Sequence, residues 1–255
     1  MDYQIIQQAS SNFSSRKGRS IIAIVNHQTA GQAPGCVSWL CNPAAQASAH
    51  YVVTREGEIY QVVADENAAW HAGAVANPSW GLYDGTNPNR CTIGIEHECY
   101  PAVGGDGNLT EAQYQATLWL HKQLTAKWNI PVDREHIIGH YQIDRVNRPN
   151  CPGAAFPWDR LMADLNQQPI NVSVSGMILN GFLWQDRSYG PAKTILGALG
   201  ATYTWDDSTS SIVVNGQCIP VAIQGDTGFA LVSQLAEAVG KKAAWDGVNN
   251  MVIIG

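Results

Sequence analysis

A histidine and a cysteine, His140 and Cys151, stand with ten residues between them in the stretch IIGHYQIDRVNRPNCPGAAFPW, Ile137 to Trp158. The intervening loop is polar and carries a proline. A third donor lies far upstream, where His27 closes the apolar run SIIAIVN, Ser20 to Asn26, and so stands at the mouth of a buried strand. Two imidazoles and one thiolate suit zinc. Three protein ligands leave the fourth tetrahedral position open for water, which is the arrangement of catalytic rather than structural zinc. A short motif of this kind acquires meaning only if the elements around it agree.

Those elements can be read from pattern. Ser20 to Val25 is apolar and β-branched with no internal turn signal, as in a central strand buried on both faces, and His27 emerges at its C-terminal end. After the turn GQAPGC, the stretch from Val37 to Ser48 contains Asn42 and Pro43 and reads as a short broken helix. YVVT and EIYQVV, joined through Arg55, Glu56 and Gly57, form a hairpin. Ala64 to Arg90 carries two Asn-Pro pairs and several glycines; it reads as irregular, and is long enough to supply one wall of a substrate cleft.

Cys91 to Cys99 resumes a strand, where period-two alternation puts Gly94, Glu96 and Glu98 on one face and Ile93, Ile95 and His97 on the other. Glu96 thus has a glycine beside it, which leaves room. Thr110 with Gln113 makes a capping box for a helix running to about Trp128. Its stripe of Tyr114, Thr117, Leu118, His121, Leu124 and Trp128 faces the sheet, so His121 is read as a core histidine.

At 255 residues the chain exceeds one domain of about 100 to 150 residues. The breaker-rich segment NQQPINVSVSG, Asn166 to Gly176, marks the boundary, giving a catalytic domain at 1–166, a linker at 167–176 and a second domain at 177–255. That second part repeats at an offset of forty residues: Asp186 matches Asp226, Leu199-Gly200 matches Val239-Gly240, Trp205-Asp206 matches Trp245-Asp246, and Ile212-Val213-Val214 matches Val252-Ile253-Ile254. Each unit reads as a helix, a glycine stop and a strand pair, and two such short copies are expected to pack into one small α+β domain.

Composition narrows the partners. With 45% hydrophobic and 14% charged residues, and no run near the roughly 18 apolar residues of a membrane span, a membrane protein is not expected. A formal net charge of -6 argues against nucleic acid and offers no long-range attraction to any anionic polymer. Six scattered cysteines fit a reducing compartment with one thiol committed to metal, and a bridge between Cys36 and Cys41 has no further support. The N-terminus lacks the basic and apolar regions of a signal peptide, so the chain is expected to be made for the cytoplasm or exported by another route.

Five blocks in order carry a family resemblance: IVNHQTAG at Ile24 to Gly31, SAHYVVTREGEIYQVV at Ser48 to Val63, AWHAG at Ala69 to Gly73, TIGIEHE at Thr92 to Glu98, and IIGHYQI with CPG at Ile137 to Gly153. Together they resemble the zinc-dependent N-acetylmuramoyl-L-alanine amidases of type 2, which share their fold with phage lysozyme-like amidases and peptidoglycan recognition proteins. The resemblance implies an α/β fold with a central mixed sheet flanked by helices. It also implies His27, His140 and Cys151 as zinc ligands and Glu96 as the catalytic carboxylate. The second half resembles, more weakly, the copper amine oxidase N-terminal-like domain; it has no copper ligand set, so the name implies no metal.

The resemblance further implies cleavage of the amide between the lactyl group of N-acetylmuramic acid and L-alanine of the peptide stem. Many relatives steady the oxyanion with a lysine two residues before the last ligand; Pro149 stands there, and Arg148, one step away, is the substitute. Where relatives place a catalytic tyrosine before the SAHY histidine, Ala49 stands, so Glu96 carries the base role alone. His71 is read as a cleft residue near the stem, and Trp70 and Trp80 as residues that could stack on sugar or peptide.

The partner is bacterial peptidoglycan, with the second domain holding the enzyme to the wall or forming a homodimer. A phage or prophage endolysin, made in the cytoplasm and acting on the wall after holin-type release, fits better than a secreted autolysin. Two alternatives stay open: a recognition module that binds without cutting, and a cytosolic amidase for recycled anhydro-muropeptides.

Overall fold

The computed structural model describes residues 3–99 and 106–255, and the chain divides into two units, Met1–Leu165 and Asn166–Gly255. Among the described residues the first unit has eight strands, β1 Ile5–Gln7, β2 Phe13–Ser15, β3 Ala23–Gln28, β4 Tyr51–Val53, β5 Ile59–Gln61, β6 Asn67–Ala69, β7 Thr92–His97 and β8 Ile137–Gly139, with helices α1 Gly35–Cys41, α2 Glu111–Trp128 and α3 Trp158–Leu165. Six strands pair in the order β1-β5-β4-β7-β3-β8. From β4 to β8 the pairing is parallel, and β5 folds back antiparallel on β4 as a hairpin. This is a mixed α/β sheet.

Alternation along β3 and β7 sorts the two faces of the sheet. Ile24, Ile93 and Ile95 pack with Ala116, Leu120 and Leu124 of α2, while Ala23 and Val25 point the other way, toward Ala72 and Trp80. The α2 helix begins where the Thr110 hydroxyl accepts the Gln113 N–H at 3.1 Å and stops at Asn129 in the left-handed conformation. His121 is buried on this helix, with Nδ1 2.8 Å from the Thr117 carbonyl.

Two details differ from the sequence expectation. β3 does not end at Val25: it stays paired with β7 through Gln28 opposite His97, so the strand ladder meets its last backbone groups and His27 lies inside the strand rather than beyond it. The segment 64–90 is not wholly irregular, because β6 pairs with β2, Ala68 opposite Ser14. That partner is too distant in sequence for local periodicity to disclose.

The second unit begins with β9 Gln168–Val174, β10 Met177–Trp184, β11 Arg187–Pro191 and α4 Ala192–Ala198, followed by β12 Thr204–Asp206, β13 Ser211–Val214, β14 Gln217–Pro220 and β15 Ala222–Gln224. It ends with β16 Thr227–Leu231, α5 Val232–Glu237, β17 Ala243–Asp246 and β18 Met251–Ile254. Seven of these strands make one sheet, β15-β16-β11-β10-β9-β18-β17, and β12-β13-β14 make a second. Ile195 and Leu196 of α4 and Leu235 and Ala236 of α5 share one core with Ile170, Val172 and Val174.

The segment 167–176 is therefore corrected: most of it is strand, not linker. β9 pairs with β10 along its length and with β18, and it buries Ile170, Val172 and Val174. Its polar residues alternate with those three, which is why composition made it look like a spacer. The hairpin turn after β9, Ser175-Gly176 with both φ positive, has its counterpart forty residues on at Asn215-Gly216. Among the described residues no helix is long and apolar enough to cross a membrane.

Candidate metal centre

Parallel strands β3, β7 and β8 deliver their carboxyl ends to one edge of the first sheet, where sites form in open α/β sheets. His27 on β3 is the direct partner of Glu96 on β7, and parallel neighbours in register point to the same face. Gly139 of β8 stands opposite Asn26, so His140, the next residue, enters beside His27 as the first residue of a 3-10 turn.

The ten residues after His140 are folded back by their own polar groups. The Asp144 carboxylate accepts the N–H groups of Val146 at 3.1 Å and Asn147 at 2.9 Å. The Cys151 N–H reaches the Arg148 carbonyl at 3.2 Å, and the Tyr141 N–H reaches the Cys151 carbonyl at 3.1 Å. As a result one donor atom each from His27, His140 and Cys151 lie within 4.8 Å of one another.

Hydrogen bonds settle which ring nitrogens carry lone pairs. Nε2 of His140 is 2.9 Å from the Ala72 carbonyl, which can only accept, so Nε2 bears the proton and Nδ1 is free to donate electrons. The Thr92 hydroxyl donates to the Pro88 carbonyl at 2.8 Å and so accepts from His71 Nε2 at 3.1 Å. His71 Nδ1 then accepts from His27 Nε2 at 3.0 Å, leaving His27 Nδ1 a lone pair as well. Gly94 makes room for this chain, since a Cβ there would lie 2.4 Å from the His71 ring.

The donor set fits a soft divalent cation. Nδ1 of His27 and Nδ1 of His140 face each other at 2.9 Å, and two lone pairs at that separation repel unless a cation lies between them. Burial holds His27 well below the usual imidazole range, reinforced by His140 and His71, and holds His140 down too, so neither ring readily supplies the missing proton. The Cys151 thiol is pushed up to about 12 by burial, then by Glu96, while a hydrogen bond from the Gln28 backbone N–H pulls it back. A cation must favour the thiolate for sulfur to act as a ligand.

Glu96 stands beside this cluster with a different character. It is half-buried, and its Oε2 has no hydrogen-bond partner among the described residues. Burial pushes it up to about 7 against the pull of Arg148, which suits a group that must take and return a proton near neutrality. A cavity of about 350 Å³ joins Glu96 to His27, Trp70, His140, Arg148 and Cys151.

The remaining sequence-predicted residues divide. Arg148 is exposed at the cavity rim, donating to its neighbour's carbonyl at 2.9 Å, and Trp70 is half-buried in the cavity lining. His71 borders the cavity, and both its ring nitrogens are engaged, by His27 and Thr92. Trp80 does not reach the cavity; it is 4% exposed and its indole N–H donates to the Glu135 carbonyl at 2.8 Å. Two residues, one bonded to His71 and one lining the groove next to the cavity, escaped the sequence reading. Thr92 gave no signal beyond its strand position, and Trp39, 55% exposed on α1, sat in a segment read only for its breaks.

Comparison with known proteins is consistent with this geometry. A family model described as N-acetylmuramoyl-L-alanine amidase matches residues 17–154. N-acetylmuramoyl-L-alanine amidase A of Achromobacter lyticus is 32% identical over 167 residues, covering 59% of this chain and 85% of that protein. The 1,6-anhydro-N-acetylmuramyl-L-alanine amidase AmpD of Salmonella typhimurium strain SL1344 is 36% identical over 119 residues, covering 46% of this chain and 57% of that protein. A crystal structure of a selenomethionine AmpD derivative is similar in fold, with a TM-score of 0.51 and 24% identity, over 64% of this chain and 99% of that one.

Proposed function

The chain belongs to the N-acetylmuramoyl-L-alanine amidase family, and on that premise we propose that its first unit is a zinc-dependent peptidoglycan amidase with His27, His140 and Cys151 as ligands. The bond cut joins the lactyl group of N-acetylmuramic acid to L-alanine of the stem. What supports the zinc reading above all is the pair of facing Nδ1 lone pairs, 2.9 Å apart, with a buried thiol completing the donor set.

Amide hydrolysis needs an activated water, a stabilised oxyanion and a proton for the departing amine. Zinc, when bound, polarises the scissile carbonyl and brings water to ionise near neutral pH. Glu96 accepts the proton of the attacking water and passes it to the leaving nitrogen of L-alanine, a role typically contributing about 10²- to 10⁴-fold. Arg148 sets a positive charge at the rim of the same cavity, where it can steady a developing oxyanion. Trp70 lines the wall against which the substrate rests.

The deciding experiment is mass analysis of purified walls digested by the protein, with zinc and after chelation. Release of stem peptides beginning at L-alanine, lost on chelation and restored by zinc, is the expected result. Release of glycan fragments instead would refute the reading.

The second unit is proposed to hold the enzyme to the wall, and the setting to be that of a phage or prophage endolysin acting after holin-type release. Cosedimentation of walls with the full chain and with 1–165 tests the first point; equal retention of both would refute it. The likeness to AmpD favours a second reading, in which soluble anhydro-muropeptides are the substrate. Relative rates on intact sacculi and on soluble muropeptides separate the two.

A further inference from the structure

The metal cavity opens on one side into a larger groove of about 560 Å³, lined by Cys36, Trp39 and Leu40 of α1, by Ala47, and by Glu96 and Arg148, which it shares with the cavity. Its size is that of a small-molecule site. The α1 helix turns Cys36, Val37 and Leu40 inward against Val52 and Val62, so the fold does not use the Trp39 indole, which stands 55% exposed. Burial pushes the Cys36 thiol up to about 11, so that wall adds no charge. The cavity also continues into a smaller, more polar exit past Gly73, Asp144, Asn147 and Arg148, the last of which borders the groove too.

We propose that Trp39 is the platform of a saccharide subsite, on which a sugar ring of the glycan strand stacks while the stem peptide leaves by the polar exit. This rests on the amidase reading of the same cleft. The scissile amide has a sugar at one end and a peptide at the other, so a cleft that holds it needs two unlike arms. A pyranose offers a face of C–H groups bordered by hydroxyls, which matches an exposed indole flanked by apolar side chains. A stem peptide, with its alternating amide donors and acceptors, matches the arm bearing Asp144 and Asn147, while Arg148 borders both arms.

The test uses the full-length, zinc-supplemented protein. With indole nitrogens labelled and the Trp39 signal assigned through Trp39→Phe, the disaccharide GlcNAc–MurNAc is expected to shift that signal and free stem peptide to leave it in place. In turnover, Trp39→Ala is expected to raise KM about tenfold, roughly 1.4 kcal/mol, on a disaccharide-linked peptide. It should leave unchanged the rate on a D-lactoyl-L-alanyl peptide, which carries the same amide without the sugar. A Trp39 signal that answers to stem peptide, or not to disaccharide, overturns the subsite, as does an equal loss on both substrates. Wild-type protein that turns over neither substrate overturns the amidase reading instead, a result the binding measurement does not share.

Discussion

His27 and Glu96 are register partners on adjacent parallel strands, so the proposed first ligand and the proposed base leave the sheet side by side on one face. Their separation is set by the strand ladder rather than by a loop. The two roles should therefore be separable by substitution.

Glu96→Ala is expected to retain zinc and lose about 10²- to 10⁴-fold in kcat. His27→Ala and Cys151→Ser should lose metal and activity together. Metal content by elemental analysis alongside turnover checks this, and an active, zinc-free Cys151→Ser protein would defeat the ligand assignment.

The chain from Thr92 through His71 to His27 predicts an effect on metal affinity from residues that touch no metal. His71→Ala, or Gly94→Ala with its Cβ 2.4 Å from the His71 ring, should weaken zinc binding by about 10- to 100-fold. Competition with a chromophoric chelator measures it. Unchanged affinity in both variants would show that the chain does not orient His27.

Burial raises the Glu96 carboxyl from 4.5 to about 7 in the folded protein, so the metal-free native state holds this proton more tightly than the unfolded chain does. The resulting stability is fully present below about pH 4.5 and is lost as pH rises through about 7. Glu96→Gln cannot ionise and escapes that loss. In chelator-treated protein its Tm should match wild type at pH 4 and exceed it at pH 8, by the equivalent of about 1 kcal/mol once its partial exposure is allowed for. A gap that is constant across this range would contradict the raised carboxyl.

In the second unit, a Cβ on Gly181 would lie 2.4 Å from the Tyr189 carbonyl oxygen and 2.8 Å from Val172 Cγ2. The carbonyl cannot yield without disturbing the β10–β11 pairing at Tyr189, and the Val172 methyl can yield only by repacking a core side chain. Gly181→Ala should cost about 1 to 3 kcal/mol, read as a fall in that unit's unfolding midpoint in urea. A midpoint within error of wild type would mean the sheet can absorb the methyl group.

Much of this molecule was legible one element at a time. The β-branched run at Ile24, the alternation from Thr92 to His97 and the Thr110 cap are local patterns, and a strand or helix that satisfies its own backbone keeps them. The forty-residue repeat was legible for the same reason, since each copy of strand, helix, glycine stop and hairpin is a local unit. Its first strand was missed because β9 alternates polar with apolar residues beside breakers, and only its pairing with β10 and β18 tells a strand from a spacer.

What the sequence determined by itself was the inventory: two imidazoles, one thiol and one carboxylate, three of them in or beside a recognisable strand and the thiol in a polar loop. What only the tertiary structure decided was which atoms meet. His71 bonds through both its nitrogens to Thr92 and His27, Trp80 is buried with its indole on the Glu135 carbonyl, and Trp39 borders the groove beside the cavity. Such assignments depend on contacts between residues dozens of positions apart, and no periodicity along a single element can encode them.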